Sequence, residues 1–218
     1  MNKKIIYLIS FTLISCSTID SSKIAPGYSE AFSSISNAVF GYKDSAISDE
    51  VILSIPYASL LMTIGKGPQG LLILESKVDA NESWVSSDGA LFIINNGRIV
   101  KTNGLQNNLT QLIYRQDSFQ ELGMKNKYST SYYSYDVPFL RDLQVESNLV
   151  MKGNVKVQLR SGEKKLNLIE EQITNKKIRW SALNKYWIDE ENFVWKSEQT
   201  ISPKLPKIYI EVTKKPSK

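Results

Sequence analysis

The chain has 218 residues, 42% of them apolar, 10% aromatic and 22% charged, with a formal net charge of +5. That length and composition fit one folded domain with a sizeable core, and they exclude a disordered chain. One cysteine and no histidine exclude an internal disulfide, a Ser-His-Asp triad, a Cys-His pair and a His-bearing zinc site, and the scattered weak positive charge does not point to nucleic acid.

The first sixteen residues form a leader. Lys3 and Lys4 supply a positive start, and residues 5–14 make an apolar stretch too short to span a bilayer as a permanent helix. Leu13-Ile14-Ser15-Cys16 follows the lipobox pattern: an aliphatic residue, a tolerant position, a small residue, then cysteine. Cleavage is expected between Ser15 and Cys16. The Cys16 thiol then takes a diacylglyceryl group and its freed amine an N-acyl chain, several chains giving the stable anchoring that one would not. Ser17, where an Asp would favour inner-membrane retention, suggests transfer to the outer membrane with the body facing the periplasm.

Residues 16–27 are small and polar and end in Pro26-Gly27, the composition of a flexible tether. In residues 29–40, Phe32, Ile35 and Val39 recur at helical spacing between Ser29, a candidate N-cap, and Gly41, a candidate stop. One short N-terminal α-helix is expected there.

From residue 50 the pattern changes to strands and turns. Strands are expected over 51–55, 57–64, 71–78, 82–85, 90–94, 98–102, 109–115 and 132–137. Further strands are expected over 149–160, 165–174, 186–188, 193–201 and 207–213, with Val155, Val157 and Leu159 alternating against Lys156, Gln158 and Arg160. Asn96-Gly97 is a strong type I′ hairpin signal. Residues 116–131 carry no strand pattern and read as the loosest loop. The tail 214–218 reads as basic and disordered. The fold class is therefore all-β: an antiparallel meander forming a barrel or strongly curved sheet, as one domain over 28–213.

Several segments together resemble a known family. They are Ile55-Pro56-Tyr57-Ala58-Ser59, Trp84-Val85-Ser86-Ser87-Asp88-Gly89-Ala90-Leu91, Asn96-Gly97-Arg98-Ile99-Val100-Lys101-Thr102, Asn107-Asn108-Leu109, Tyr186-Trp187-Ile188-Asp189 and Val194-Trp195-Lys196-Ser197. Their order and spacing resemble the YjbF/GfcB-type lipoproteins, the group 4 capsule polysaccharide lipoprotein family. The resemblance implies a barrel-like β domain. It also implies a role in export or assembly of capsule or exopolysaccharide, beside an outer-membrane β-barrel protein and periplasmic partners. It carries over no catalytic residue.

The candidate contacts come from the residues themselves. Arg98, just after the Asn96-Gly97 turn, reads as a solvated strand start that could meet an acidic sugar or a partner protein. Trp84, Trp187 and Trp195, with Tyr132, Tyr133 and Tyr135, could stack on sugar rings, though such residues more often fill barrel cores. Glu170 and Glu171 are adjacent on a strand and so point to opposite faces, which excludes them as a glycosidase pair. Asp189-Glu190-Glu191 reads as a solvated turn, and Lys204, Lys207, Lys214, Lys215 and Lys218 as a solvated basic end that could touch acidic polysaccharide or anionic lipid. No metal, no catalytic site and no cofactor beyond the lipid on Cys16 is expected. The competing reading is a lipoprotein that shelters a lipid or other apolar ligand inside the barrel.

Overall fold

A computed structural model describes residues 47–114 and 127–216. The leader 1–15, Cys16, the tether 16–27 and the expected helix over 29–40 lie outside the described residues.

The described chain opens with a six-residue helix, α1 (Asp49–Ser54), in place of the strand expected over 51–55. Val51 and Ile52 favour a strand, but the local polar chemistry overrides them. Ser48 is the N-cap, its hydroxyl accepting from the Val51 N–H at 3.4 Å, and Asp49 and Glu50 place negative charge in the first turn. Pro56 follows, and the residue before it takes an extended backbone that ends the helix.

Five strands then run as a simple meander: β1 (Ser59–Ile64), β2 (Gln69–Val78), β3 (Asn81–Ser86), β4 (Leu91–Asn95) and β5 (Arg98–Asn103). Seven more complete the sheet: β6 (Leu109–Ile113), β7 (Lys127–Tyr135), β8 (Leu140–Leu159), β9 (Gly162–Asn175), β10 (Trp180–Ile188), β11 (Val194–Gln199) and β12 (Ile208–Lys214). All pairings are antiparallel. Each strand pairs with its neighbours in sequence, except that β1 pairs with β12 while β5 and β6 form the two edges. The meander thus starts in the middle of its own sheet, and the two edges, adjacent in sequence, meet to leave a nearly closed barrel.

Side chains bridge the seam where the ladder is missing. The Leu109 N–H donates to Thr102 Oγ1 at 2.9 Å, and the Leu105 N–H donates to Asn108 Oδ1 at 2.9 Å. Asn108 is in turn held by Asp136, whose Oδ2 accepts from the amide at 2.7 Å and whose Oδ1 accepts from the Asn108 N–H at 2.8 Å. Asn107 donates to the Val137 carbonyl at 2.6 Å and its side-chain oxygen accepts from Ser202, tying the β11–β12 connection to the same seam. These contacts occupy part of an edge that would otherwise be open to pairing.

Several boundaries differ from the sequence-based expectation. Residues 127–131, expected as loop, belong to β7, and β8 begins at Leu140 rather than at 149. In the first half of β7 the inward positions include Ser129 and Ser131 against Tyr128 and Thr130, so the alternation is hard to see. Strand β10 begins at Trp180 rather than 186 for the same reason, with Asn184 at an inward position. The chain stays ordered past β12, contrary to the disordered tail expected from 214. Lys214 Nζ donates to the Pro56 carbonyl at 2.7 Å, Lys215 pairs with Glu191 at 2.7 Å, and Pro216 is buried.

The main core gathers Leu60, Leu72, Trp84, Phe92, Ile173 and Ile208 from both halves of the chain. A second cluster lies outside the barrel. Between Met151 and Gly153 the β8–β9 register slips at a bulge, with Gly153 at φ 99°. Beyond it Leu166 lies on the same face of β9 as Leu168, which pairs with Trp187, opposite to the inward Ile169. Val157, Leu159 and Leu166 therefore pack with Trp187 and Trp195 as an external arm. The arm's tip is pinned by the Arg160 N–H on Glu211 of β12 (2.5 Å) and by the Arg160–Asp49 ion pair (2.8 Å).

Asp136 makes the seam sensitive to acid. Desolvation pushes its carboxyl up, but the hydrogen bonds from Asn108 and from the Val137 N–H outweigh that and hold it below the usual 3.8. A depressed carboxyl contributes stability that is present above its unfolded value and lost as pH falls through the folded one. Thermal melts of the wild type and Asp136→Asn should therefore differ at about pH 7 and converge toward about pH 2. A difference that persists unchanged in acid contradicts this role.

Candidate functional site

The Asn96-Gly97 turn is the feature around which the interior is organised. Asn96 (φ 47°) and Gly97 (φ 80°) both take the left-handed backbone of a type I′ turn, as the sequence implies. A Cβ on Gly97 would lie 2.2 Å from Val194 Cγ2, so the turn is pressed directly against β11 across the barrel. Gln199 of β11 fixes it there: its side-chain amide donates to the Gly97 carbonyl at 2.8 Å and its Oε1 accepts from the Ile99 N–H at 3.0 Å.

Arg98 follows this turn inward, not outward. It is 8% exposed, and its Nη2 lies 3.0 Å from Glu171 Oε1 on β9, with Glu171 6% exposed. The other carboxylate oxygen accepts from the Tyr186 hydroxyl at 2.9 Å and from the Asn184 amide at 3.4 Å. The Arg98 guanidinium also lies over the rings of Tyr114 and Tyr186, each 5.3 Å away. Burial works against the charged guanidinium, but Glu171, Tyr186 and Tyr114 together more than offset it, and the net shift raises Arg98 above its ordinary value. Burial, reinforced by the Glu171 carboxylate, likewise pushes the Tyr133 and Tyr186 hydroxyls up, so both remain protonated donors. Tyr133 meets Trp180 edge-on with ring centres 5.9 Å apart. This cluster fills the mid-barrel. Both readings of Arg98 from sequence, a solvated residue or a surface contact, are corrected: it is a buried structural cation.

Beside the turn, at the same end of the barrel, a cavity of about 610 Å³ opens to solvent. Its floor is apolar, formed by Leu60, Trp84, Ile94, Ile210 and Val212. Three tight turns ring its mouth: β2–β3 with Asp79, β4–β5 with Asn96, and β10–β11 with Asn192, each of these residues in the left-handed region. Gly97 lines the cavity and the next residue carries the ion pair, so one turn serves both.

The remaining candidates from the sequence are distributed as follows. Trp84 is 1% exposed and belongs to the core, its indole N–H 3.3 Å from Glu82 Oε2. Trp187 and Trp195 are half-buried under the external arm, where Lys164 Nζ lies 4.2 Å over the Trp195 ring. The three tryptophans therefore form no exposed sugar platform. Tyr133 and Tyr135 are buried, the latter donating to the Ile201 carbonyl at 2.7 Å, while Tyr132 stays exposed. Glu170 does face away from Glu171, toward Lys152 and Lys185. Asp189 organises its turn: Oδ1 accepts from the Glu191 and Phe193 N–H groups, and Oδ2 from the Trp195 indole at 2.8 Å. Lys204 and Lys207 lie in the β11–β12 connection, Lys207 3.3 Å from Glu198, while Ser15, Cys16 and Lys218 lie outside the described residues. Among the described residues, no group of three or more acidic or cysteine side chains is placed to hold a metal.

Reading by sequence missed Glu171, Asn184, Gln199 and Tyr114 as members of the cluster. For Glu171 a signal was present, since it lies between Ile169 and Ile173 at the inward positions of β9. Period-two alternation puts it inside, and a buried carboxylate demands a partner cation.

Residues 32–213 match the family model of YjbF, the group 4 capsule polysaccharide lipoprotein gfcB/YjbF. The chain belongs to this family. Two Escherichia coli (strain K12) relatives agree with the assignment. The uncharacterised lipoprotein YjbF is 26% identical over 213 residues, covering 91% of each chain. The uncharacterised lipoprotein GfcB is 22% identical over 156 residues, covering 70% of this chain and 73% of its own length. The crystal structure of the hypothetical lipoprotein YmcC from Escherichia coli (K12) superposes with a TM-score of 0.65 at 21% identity, over 85% of this chain and 95% of that one. The barrel is thus a fold this chain shares with a solved lipoprotein structure, and the lipobox ending at Cys16 agrees with a family of lipoproteins.

The buried pair generates a stability prediction for this family member. Truncating one partner leaves the other charged and unpaired, a loss of roughly 3–5 kcal/mol, whereas replacing both with apolar residues of similar volume is close to neutral. Urea unfolding should show Arg98→Met and Glu171→Met each strongly destabilised and the double variant largely restored. Additive losses in the double variant would show that the two side chains act separately.

Proposed function

We propose that this protein is a non-enzymatic accessory lipoprotein of capsule or exopolysaccharide export or assembly. Lipid on Cys16 holds it at the outer membrane with the barrel facing the periplasm, next to an outer-membrane β-barrel protein and periplasmic export proteins. It needs no cofactor beyond that lipid. The observation that carries this reading is the family match across 32–213, under a name that specifies both a lipoprotein and a capsule polysaccharide.

The interior chemistry is in keeping with it. The buried Glu171 is engaged by Arg98, Tyr186 and Asn184, so its carboxylate is committed to the ion pair inside the barrel. The apolar-ligand alternative receives less support. The mid-barrel is filled by the core and the ion pair, and the cavity that remains has charged residues around its mouth.

Deleting the gene in a polysaccharide-producing strain should abolish or strongly reduce surface polysaccharide while other envelope traits stay intact. Cys16→Ser should accumulate as an unlipidated precursor, absent from the outer-membrane fraction, and should fail to complement the deletion. Unchanged polysaccharide in the deletion strain contradicts the function, and normal maturation of Cys16→Ser contradicts the anchor.

A further inference from the structure

The cavity at the barrel mouth combines features that select for one ligand chemistry. It is of the size of a small-molecule site, for which the usual range is about 300–1,000 Å³, and it holds about 610 Å³. Trp84 and the neighbouring aliphatics supply an apolar floor. The polar lining is evenly split by charge, with the carboxylates of Asp79, Glu82 and Glu191 against the ammonium groups of Lys77, Lys196 and Lys215. Several of these are already paired, Lys77 with Glu82 at 3.5 Å and Lys215 with Glu191 at 2.7 Å.

A mouth with no net charge gives an anionic ligand no electrostatic advantage, and its ion pairs make it costly to bury a bare acyl chain there. What it does offer is donors and acceptors side by side, including the amides of Asn96 and Asn192, around an apolar base. That is the complement of a sugar ring, which presents hydroxyls at its rim and C–H groups on its faces. The turns that carry these groups are held in left-handed conformations, and Asp189 and Gln199 lock two of them from inside. The site is therefore formed before any ligand arrives, and binding does not have to order it.

We propose that this mouth cavity binds a short, uncharged segment of polysaccharide, with Glu82, Asn96 and Asn192 meeting its hydroxyls. The inference deepens the polysaccharide reading by assigning it a subsite, and it rests on that reading. The contact is one for holding a chain in passage.

The test is a titration of the full lipidation-deficient chain, Cys16→Ser with the leader removed, followed by ¹H–¹⁵N NMR. The probes are three neutral trisaccharides, maltotriose, globotriose and mannotriose, then trigalacturonic acid and laurate. At least one neutral trisaccharide should saturably shift the Trp84 indole and the Gly97 amide. Ala80→Trp, which places a ring over the mouth from an existing turn, should weaken that response about tenfold or more, and Glu82→Gln should weaken it too. Thermal melts matching the parent confirm that both variants fold. No response to any neutral trisaccharide overturns the inference, as does a response insensitive to both variants, tighter binding of trigalacturonate, or saturable binding of laurate in place of sugar. If deletion of the gene removes polysaccharide but no sugar binds, the subsite alone fails. If deletion leaves polysaccharide unchanged, the broader function fails.

Discussion

The buried pair between Arg98 and Glu171 joins the two halves of the sheet where backbone hydrogen bonds do not. Arg98 starts the edge strand β5, and Glu171 sits deep in β9, far away along the sheet order. No ladder connects them, so the barrel could open along its seam and expose both core faces. A charge pair removed from water can be held only with good geometry and with its remaining lone pairs satisfied. Here Tyr186 and Asn184 take the second carboxylate oxygen while Tyr114 and Tyr186 cover the guanidinium. The pair adds little net energy over an apolar substitute, but it specifies one arrangement. Slipping β5 along or out of the barrel would leave both charges stranded.

The rest of the structure follows from that choice of arrangement. With Arg98 pointing inward, the Asn96-Gly97 turn must cross toward β11, and only a residue without a Cβ fits against Val194. Gln199 then caps the exposed backbone of β5 from within, while Thr102, Asn108 and Asp136 cap the seam. The open cavity beside the turn ends on residues of the apolar core. The external arm of β8 and β9 has a separate logic. Its bulge at Gly153 brings Val155, Val157 and Leu159 of β8 to the face of Leu166 and Trp187, so two tryptophans that looked suited to sugar contact are used to dock the arm.

Much of the fold was legible in the sequence because its strands alternate and its turns use residues with clear backbone preferences. Asn96-Gly97, Asp88-Gly89 and Ser161-Gly162 each mark a hairpin that the structure contains. What stayed hidden was chemistry in which polar residues occupy core positions. Ser131 concealed the first half of β7, and Asn184 concealed the first half of β10. Strand-forming Val51 and Ile52 concealed α1, where the cap at Ser48 and the following Pro56 decide the outcome. The site was least legible. Arg98 is separated from Glu171 by 73 positions, and nothing local distinguishes an arginine that turns inward after a hairpin from one that points to water. The family resemblance, by contrast, was carried by collinear segments spread along the chain, and it held over 32–213.

The inward lock makes the cavity mouth rigid by fixing the β4–β5 turn against β11. Native-state hydrogen exchange tests that coupling most directly, comparing the wild type with Glu171→Gln. The account predicts that the Ile99 amide, bound to Gln199 on the far side of the cluster, loses protection together with the amides of β9. Accelerated exchange confined to β9, with Ile99 as protected as before, would contradict it.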